Sequence, residues 1–433
     1  MRPFTVRARS RMIFLYRWLT FLFGPLVNLL IWRRKLVGKE DPERIAERRG
    51  LSQANRPAGR LVWVHAASIG ESLSALPLIQ QLLARNPDLN VLITTGTLSS
   101  ARILAKQLPA RVTHQFVPMD LVPWVQRFLD HWRPDMGVWI ESELWPNLMM
   151  ETAARGIPMA LVNGRMSARS YQRWRLERRS IGQLLNCFRV ILAHDERSAG
   201  FIHNLGAPHA ACVGDLKQAA DPLSADEAEL ARLQAAIGAR PVWIAASTHP
   251  GEEDAVQKTH KQLRQQFPEL LTIIAPRHAD RGIQIATDLG IEGLKVVRRS
   301  TGEMPTHDTD VYLADTMGEM GLVYRLATIA FVGGSLVPHG GQNPLEPARL
   351  GCAILHGPNI DNFISIYADL DATGASRQID DVALLADNVA ALLRDKQTAA
   401  SRGRAAKAQA LKGRDKVLEH IIAAIEPLLP EPK

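Results

Sequence analysis

From Leu61 onward the chain alternates short apolar runs with stretches of helical periodicity, and it does so twice. The first series of runs is Leu61–His65, Val91–Thr95, Val112–Phe116, Met136–Ile140, Met159–Val162 and Val190–Ala193. Helical spacing lies between them at Ser74–Ala84, Ser99–Leu108, Val122–Trp132 and Ser167–Asn186. The pattern then restarts with Val242–Ala246, Leu271–Ala275, Lys295–Val297, Val311–Leu313, Ile329–Val332 and Ala353–His356. Continuous apolar strands that alternate with helices read as parallel strands buried on both faces, joined by crossovers. The class predicted is α/β, with two doubly wound sheets, which a chain of 433 residues can accommodate. A weak internal repeat agrees: Val62-Trp-Val-His-Ala-Ala-Ser68 resembles Val242-Trp-Ile-Ala-Ala-Ser247, and Gly70-Glu71 and Gly251-Glu252 follow. The boundary is expected near Val213–Asp226. Two such domains facing each other would form a cleft lined by the carboxyl ends of their strands. Val382–Ile425 is Ala-rich and helical, expected to pack on the second domain and to cross back to the first.

The N-terminus follows a different rule. Met12 to Trp32 is almost continuously apolar, broken mainly by Arg17 and Asn28, and is about long enough to cross a bilayer. Arg2, Arg7, Arg9 and Arg11 precede it, and Arg33, Arg34 and Lys35 follow where a signal peptide would carry small residues. A membrane anchor is expected. The Gly24-Pro25 break leaves a shallow interfacial helix as an alternative to a full span. Fifty-two basic against 44 acidic residues favour acidic partners such as phosphorylated substrates, anionic lipid or nucleic acid, without choosing among them. Cys187, Cys212 and Cys352 are widely spaced, so neither a disulfide framework nor a zinc site is indicated.

Several segments could carry chemistry. Ser68 and Glu71 stand at capping-box spacing after the first strand; Glu71 either caps the helix or acts as a base at a strand's carboxyl end. The helix N-terminus would favour its ionised form. Glu141 and Glu143 follow the fourth strand, as site carboxylates or as acidic residues in the first turn of a helix opening near Pro146. Arg165, Arg169 and Arg173 recur every four residues, so a helix would align them on one face able to meet anions or lipid headgroups. Nucleic acid would show the same charge, but no recognition motif accompanies it. Lys217, at the domain boundary, could reach a leaving phosphate, and Arg277 after Pro276 could meet a phosphate or base edge. Asp315-Thr-Met317-Gly318-Glu319 opens a helix suited to anions. In Gly333-Gly334 to Gly340-Gly341, a strand leads into a flexible loop, with Asn343 as N-cap, Pro344 as first helical residue, then Leu345 and Glu346. Its backbone N–H groups would hold a phosphate while Glu346 accepts from a ribose hydroxyl. Asp308-Thr-Asp310 has the form of a metal-binding pair but lies in a polar turn.

Together, H-A-A-S-I-G-E-S, E-S-E-L-W-P-N, V-N-G-R-M-S, D-L-K, P-R-H, D-T-M-G-E-M and F-V-G-G-S-L-V-P-H-G-G-Q-N-P-L-E resemble the 3-deoxy-D-manno-octulosonic acid (Kdo) transferases of lipopolysaccharide assembly, glycosyltransferase family 30, in the same order from about residue 12 to about 370. The resemblance implies a GT-B fold with an N-terminal hydrophobic membrane-anchor helix. It implies an anchor over 1–40, an acceptor-binding domain over 41–215, a CMP-Kdo-binding domain over 216–405 and a C-terminal helix over 406–433. It further implies metal-independent, inverting transfer from CMP-Kdo to a lipid A precursor, by a monomer on the cytoplasmic face of the inner membrane. No cofactor and no nucleic-acid partner are expected. Carried over by position, Glu71 becomes the proton acceptor, and Glu141 and Lys217 become charge-stabilising residues. Pro276, Arg277, Met317, Gly318, Glu319 and Asn343, Pro344, Leu345, Glu346 become donor contacts. Met320 stands where Leu is common, and Pro338-His339 lies inside the loop. A related enzyme using a UDP-sugar, or a basic membrane or nucleic-acid binding protein, are the competing readings.

Overall fold

The computed structural model describes residues 10–431 and divides into two compact units. The first runs up to Ala220 and resumes at Arg414; the second is Asp221–Gly413. Along the chain the divisions fall at 220/221, inside the expected Val213–Asp226, and at 413/414.

The first unit holds strands β1 (Arg60–His65), β2 (Leu89–Thr95), β3 (Val112–Phe116), β4 (Met136–Ile140), β5 (Met159–Gly164), β6 (Val190–Ala193) and β7 (Ala210–Cys212). They form one parallel sheet in the order β3-β2-β1-β4-β5-β6-β7. Every residue of β1 and β4 is buried, because helices cover both faces. Alternate side chains of β1 serve opposite cores: Val62 and Val64 join one cluster, Leu61 and Trp63 the other. The second unit repeats this with β8 (Val242–Thr248), β9 (Leu271–Pro276), β10 (Val296–Arg298), β11 (Val311–Leu313), β12 (Ile329–Val332), β13 (Ala353–His356) and β14 (Ser376–Gln378). Their order is β10-β11-β9-β8-β12-β13-β14, again parallel, with Trp243 and Ala245 in one core and Ile244 and Ala246 in the other. The internal repeat extends to side chains. Trp63 Nε1 donates to Thr94 Oγ1 and Trp243 Nε1 to Thr272 Oγ1, both at 2.8 Å.

The expected single anchor helix is two helices, α1 (Arg11–Leu22) and α2 (Gly24–Leu36), bent by 66°. Pro25 sits in the first turn of α2, where its missing N–H costs nothing. Among the described residues no single helix is long and apolar enough to cross a membrane, although the bent pair together has the length and composition. The two polar residues that interrupt the apolar run tie it to the first unit. Arg17 pairs with Glu151 at 2.6 Å, and Asn28 accepts from Arg49 Nε at 3.2 Å. Tyr16 donates to Asp120 at 2.8 Å, Thr20 accepts from Asn147, and Ile13 is buried in the core. Phe14, Trp18, Phe21, Leu26, Leu29 and Trp32 remain exposed. Arg2, Arg7 and Arg9 lie outside the described residues.

Candidate functional site

In the first sheet the winding direction reverses between β1 and β4, the crevice position at which open α/β sheets bind ligands. The loop after β1 leads into the helix Ile69–Arg85, capped by Ser68. Ser68 Oγ accepts from Glu71 N at 3.3 Å and donates to Glu71 Oε1 at 2.6 Å, while Glu71 Oε2 accepts from Ala67 N at 2.7 Å. The capping reading of Glu71 therefore holds, with the N–H it reaches lying one residue ahead of the cap. It does not exhaust the carboxylate, since each oxygen has two lone pairs and retains one. Glu71 is 7% exposed. Burial pushes its carboxyl above the ordinary value; the Ser68 and Ala67 hydrogen bonds oppose this, and the charges of Glu141 and Glu143 add to it. The net direction is upward, with burial the largest cause and the two neighbouring carboxylates adding to it.

Glu141 follows β4 with φ +61, a conformation costly for a residue with a Cβ, and its N–H is held by Val162 O at 2.9 Å. Its Oε1 faces Lys217 Nζ at 3.2 Å and Arg165 Nε at 3.5 Å. Arg165 also pairs with Asp215 at 2.7 Å, and its backbone exchanges hydrogen bonds with Ser142 Oγ. Lys217 lies on the turn Leu216–Ala219, whose Leu216 N–H is held by Asn163 Oδ1 at 2.9 Å. The structure thus groups Glu141, Arg165, Asp215 and Lys217 beyond the strand ends, close enough to Glu71 for Glu141 to perturb it. Glu143 accepts from Trp145 Nε1 at 2.9 Å. The acidic first turn does not form: the helix opens at Pro146, after both carboxylates.

Arg165 does not share a helical face with Arg169 and Arg173. Ser167 caps the helix Ala168–Leu176, accepting from Ser170 N at 3.1 Å, so Arg165 precedes it and turns into the carboxylate cluster. The helix expected over Ser167–Asn186 is also broken at Glu177, with Arg178–Leu185 following. Arg169 and Arg173 remain exposed on the first piece with Arg175 and Leu176, as do Arg178 and Arg179 at the start of the second.

In the second sheet the reversal lies between β8 and β12. Arg277, exposed after Pro276 at the end of β9, makes no ion pair among the described residues and anchors its N–H on Thr248 O at 3.0 Å. Beyond β11, Met317 is exposed, Gly318 takes φ +86, and Glu319 is locked by Arg299 at 2.8 Å and by Thr316. The Arg299 guanidinium holds the Glu319 carboxyl below its ordinary value. After β12, Asn343 Oδ1 accepts from Leu345 N at 3.1 Å, and the helix Leu345–Arg349 starts one residue later than expected, behind Pro344. Glu346 is pushed up by burial and pulled back by Arg349, Asn343 and Arg277.

The glycine-rich loop is not an open cradle in its first half. The N–H groups of Gly334, Ser335 and Leu336 all go to Glu252, and those of Gly341 and Gln342 to Gly334 O and Gly333 O. The expected phosphate contacts there are already taken, by a carboxylate far away in sequence. Sequence reasoning also gave no role to Asp215 or to His249. The His249 and His339 rings lie 3.8 Å apart, His278 is 6.1 Å from His249, and the Gln342 amide nitrogen is 3.0 Å from His249 Nε2. Burial, His339 and His278 lower the His249 pKa. The Thr-His-Pro-Gly-Glu turn after β8, placed like His-Ala-Ala-Ser after β1, was the signal available. Asp308 and Asp310 serve structure, pairing with Lys295 at 3.0 Å and Arg264 at 2.5 Å.

Solved structures share this architecture. A glycosyltransferase from Rickettsia africae ESF-5 matches 87% of the chain and 100% of its own, with TM-score 0.59 and 8% identity. A UDP-GlcNAc 2-epimerase from Neisseria meningitidis matches 85% and 100%, with TM-score 0.56 and 11% identity. Two parallel seven-stranded sheets, each with polar groups at its switch point, make this an α/β protein with GT-B glycosyltransferases among its structural neighbours. Sequence then narrows the class. The model of the 3-deoxy-D-manno-octulosonic-acid transferase (kdotransferase) family matches residues 43–220. A 3-deoxy-D-manno-octulosonic acid transferase of Rickettsia bellii (strain RML369-C) is 34% identical over 85% of this chain and 88% of its own. One from Haemophilus influenzae (strain ATCC 51907 / DSM 11121 / KW20 / Rd) is 33% identical over 96% and 98%. The chain belongs to the Kdo transferase family.

Proposed function

We propose that the protein transfers Kdo from CMP-Kdo to a lipid A precursor, lipid IVA, with inversion, in building the lipopolysaccharide inner core. The observation that carries the mechanism is Glu71: a buried carboxylate at the first sheet's switch point, with its proton affinity raised. A sugar hydroxyl is a poor nucleophile near neutral pH, and a base of raised pKa is matched to taking its proton. The acceptor oxygen bonds to the anomeric carbon, the bond from that carbon to the CMP phosphate breaks, the proton passes to Glu71, and CMP leaves. Lys217, positioned by Glu141 together with Arg165, supplies positive charge for the developing phosphate. Arg277 and the His249, His278 and His339 imidazoles offer donors to the anionic sugar nucleotide, with Pro276, Met317, Gly318, Glu319, Asn343, Pro344 and Leu345 shaping that site. Glu346 is left to accept from a ribose hydroxyl. CMP-Kdo carries one phosphate and one carboxylate, which these groups can neutralise without a metal. Chelation with EDTA should leave the rate unchanged.

The exposed apolar surface of α1 and α2 supports attachment to the cytoplasmic face of the inner membrane, with the pair lying in the interface rather than spanning. Arg169 and Arg173 are suited to acceptor phosphates, and the enzyme acts as a monomer. Incubating the protein with CMP-Kdo and lipid IVA, then weighing the lipid, tests the reading. The product should gain the mass of one or more Kdo residues, and a lipid extended only with a UDP-sugar donor would overturn it.

A further inference from the structure

Glu252 opens the helix Glu252–Arg264, is 0% exposed, and takes no part in the chemistry above. Its Oε2 accepts from His249 N at 2.9 Å and Gly334 N at 2.7 Å; its Oε1 accepts from Ser335 N and Leu336 N, both at 3.0 Å. No basic side chain among the described residues forms an ion pair with it. A carboxylate held by successive backbone N–H groups has the surroundings of a bound anion in a nest, supplied here by the chain itself. The loop is shaped to that group. Gly334 takes φ +66, and a Cβ on Gly333 would stand 2.8 Å from Oε2. What Glu252 holds is continuous with the donor segment. Gly341 N bonds Gly334 O at 2.7 Å and Gln342 N bonds Gly333 O at 3.1 Å, which leads directly into Asn343–Glu346. The same carboxylate fixes the backbone of His249, whose ring lies against the His339 ring at a 36° tilt and meets Gln342.

We propose that Glu252 is a positioning residue for donor binding: an internal anion that joins the loop after β8 to the loop after β12 and thereby sets the His249–Gln342 side of the nucleotide site. This rests on the reading that these loops hold CMP-Kdo. It also explains why glycine-loop N–H groups need not meet a phosphate, since their acceptor is built in.

Glu252→Gln is nearly isosteric but turns one acceptor oxygen into an amide donor against two N–H groups. Two measurements on the full-length protein separate the parts of the claim. Hydrogen exchange at Gly334, Ser335 and Leu336, without nucleotide, should accelerate in the variant, whatever the donor is. The CMP Kd and the donor KM should rise about tenfold or more, as loss of charge-assisted bonds implies, while the acceptor KM stays within twofold. Glu253→Gln removes the neighbouring carboxylate, which among the described residues bonds Thr248 and Arg281 and none of the loop N–H groups, and should leave the exchange of Gly334, Ser335 and Leu336 as in the wild type. Faster exchange with an unchanged CMP Kd would overturn the positioning role, as would equal rises in donor and acceptor KM. Unchanged exchange would overturn the contact itself. A wild-type protein that UDP stabilises and CMP does not would instead refute the donor reading, leaving the exchange result to decide whether Glu252 holds the loop.

Discussion

The surroundings of Glu71 pull on its charge in opposite senses. The cap contacts favour the carboxylate, while burial and the neighbouring Glu141 and Glu143 favour the acid, and the net direction is upward from 4.5. The acid limb of the transfer rate should therefore lie above the ordinary glutamate range, with the rate falling as pH drops and Glu71 gains its proton. Glu71→Gln should lower kcat by about 10²-fold or more while CMP still stabilises the protein, as measured by turnover and thermal shift. The stability consequence has a definite sign. A folded-state pKa above the unfolded one favours folding of the protonated form, an advantage present below 4.5 and lost as pH rises through the higher folded value. Glu71→Gln never ionises, so its Tm relative to the wild type should climb across that interval. A constant difference from pH 4 to 8 would remove the argument. Glu141 acts differently, through the two cations it faces. Glu141→Gln should reduce kcat about tenfold with less effect on the KM values, because Lys217 and Arg165 lose their shared anchor.

At the scale of elements, what the sequence made legible was whatever local pattern governs. The strands of both sheet centres are apolar on consecutive positions, and β3, β4, β6, β11, β12 and β13 have the expected limits. The outer strands β7 and β14 were not foreseen. Ala-Ala-Cys and Ser-Arg-Gln lack β-branched or aromatic residues and are strands only because β6 and β13 offer them an edge. Arg165 was misplaced for a related reason: four-residue spacing fits a helix, but Ser167 decides where that helix begins. The loop N–H groups were misread because their acceptor, Glu252, lies 82 or more positions earlier. At the N-terminus, length and hydropathy describe a span, whereas the bend and the Arg17, Tyr16 and Thr20 contacts describe a helix bound to its domain. The two faces of α1 should separate experimentally. Asp120→Ala removes the acceptor for Tyr16 and for Asn147 N and Leu148 N, and should cost about 2 kcal/mol of stability. Trp18→Ser with Phe21→Ser, on the exposed side, should weaken flotation with anionic vesicles and leave the unfolding midpoint within about 0.5 kcal/mol of wild type. Loss of stability without loss of vesicle binding in this pair would mean that the surface is part of the fold.

For the whole molecule, the last helix sets the terms of folding. Lys396–Ile425 runs unbroken from the second unit into the first. Ala406 and Ala410 are buried with the second unit, and Val417, Leu418, Ile421, Ile422 and Ile425 complete the core beside Val62, Val64 and Leu78. The first unit is therefore built from sequence-distant ends, and synthesis must reach the final turns before its core can close. Full burial of a Val, Leu or Ile side chain contributes about 1.5–3 kcal/mol, so these five supply roughly 10 kcal/mol. That is comparable to the roughly 5–15 kcal/mol that holds an ordinary domain folded. A chain ending at Gly413 should thus lose the cooperative unfolding transition of the first unit, and with it transferase activity, while the second unit keeps its own sheet and its CMP-induced stabilisation. Ile422→Ala in the full-length protein is the milder version, expected to cost about 2–5 kcal/mol through the cavity it leaves. If the truncated protein retained the first transition, the strand cores of the first unit would be sufficient alone, and the returning helix would be a tether between units rather than part of the fold.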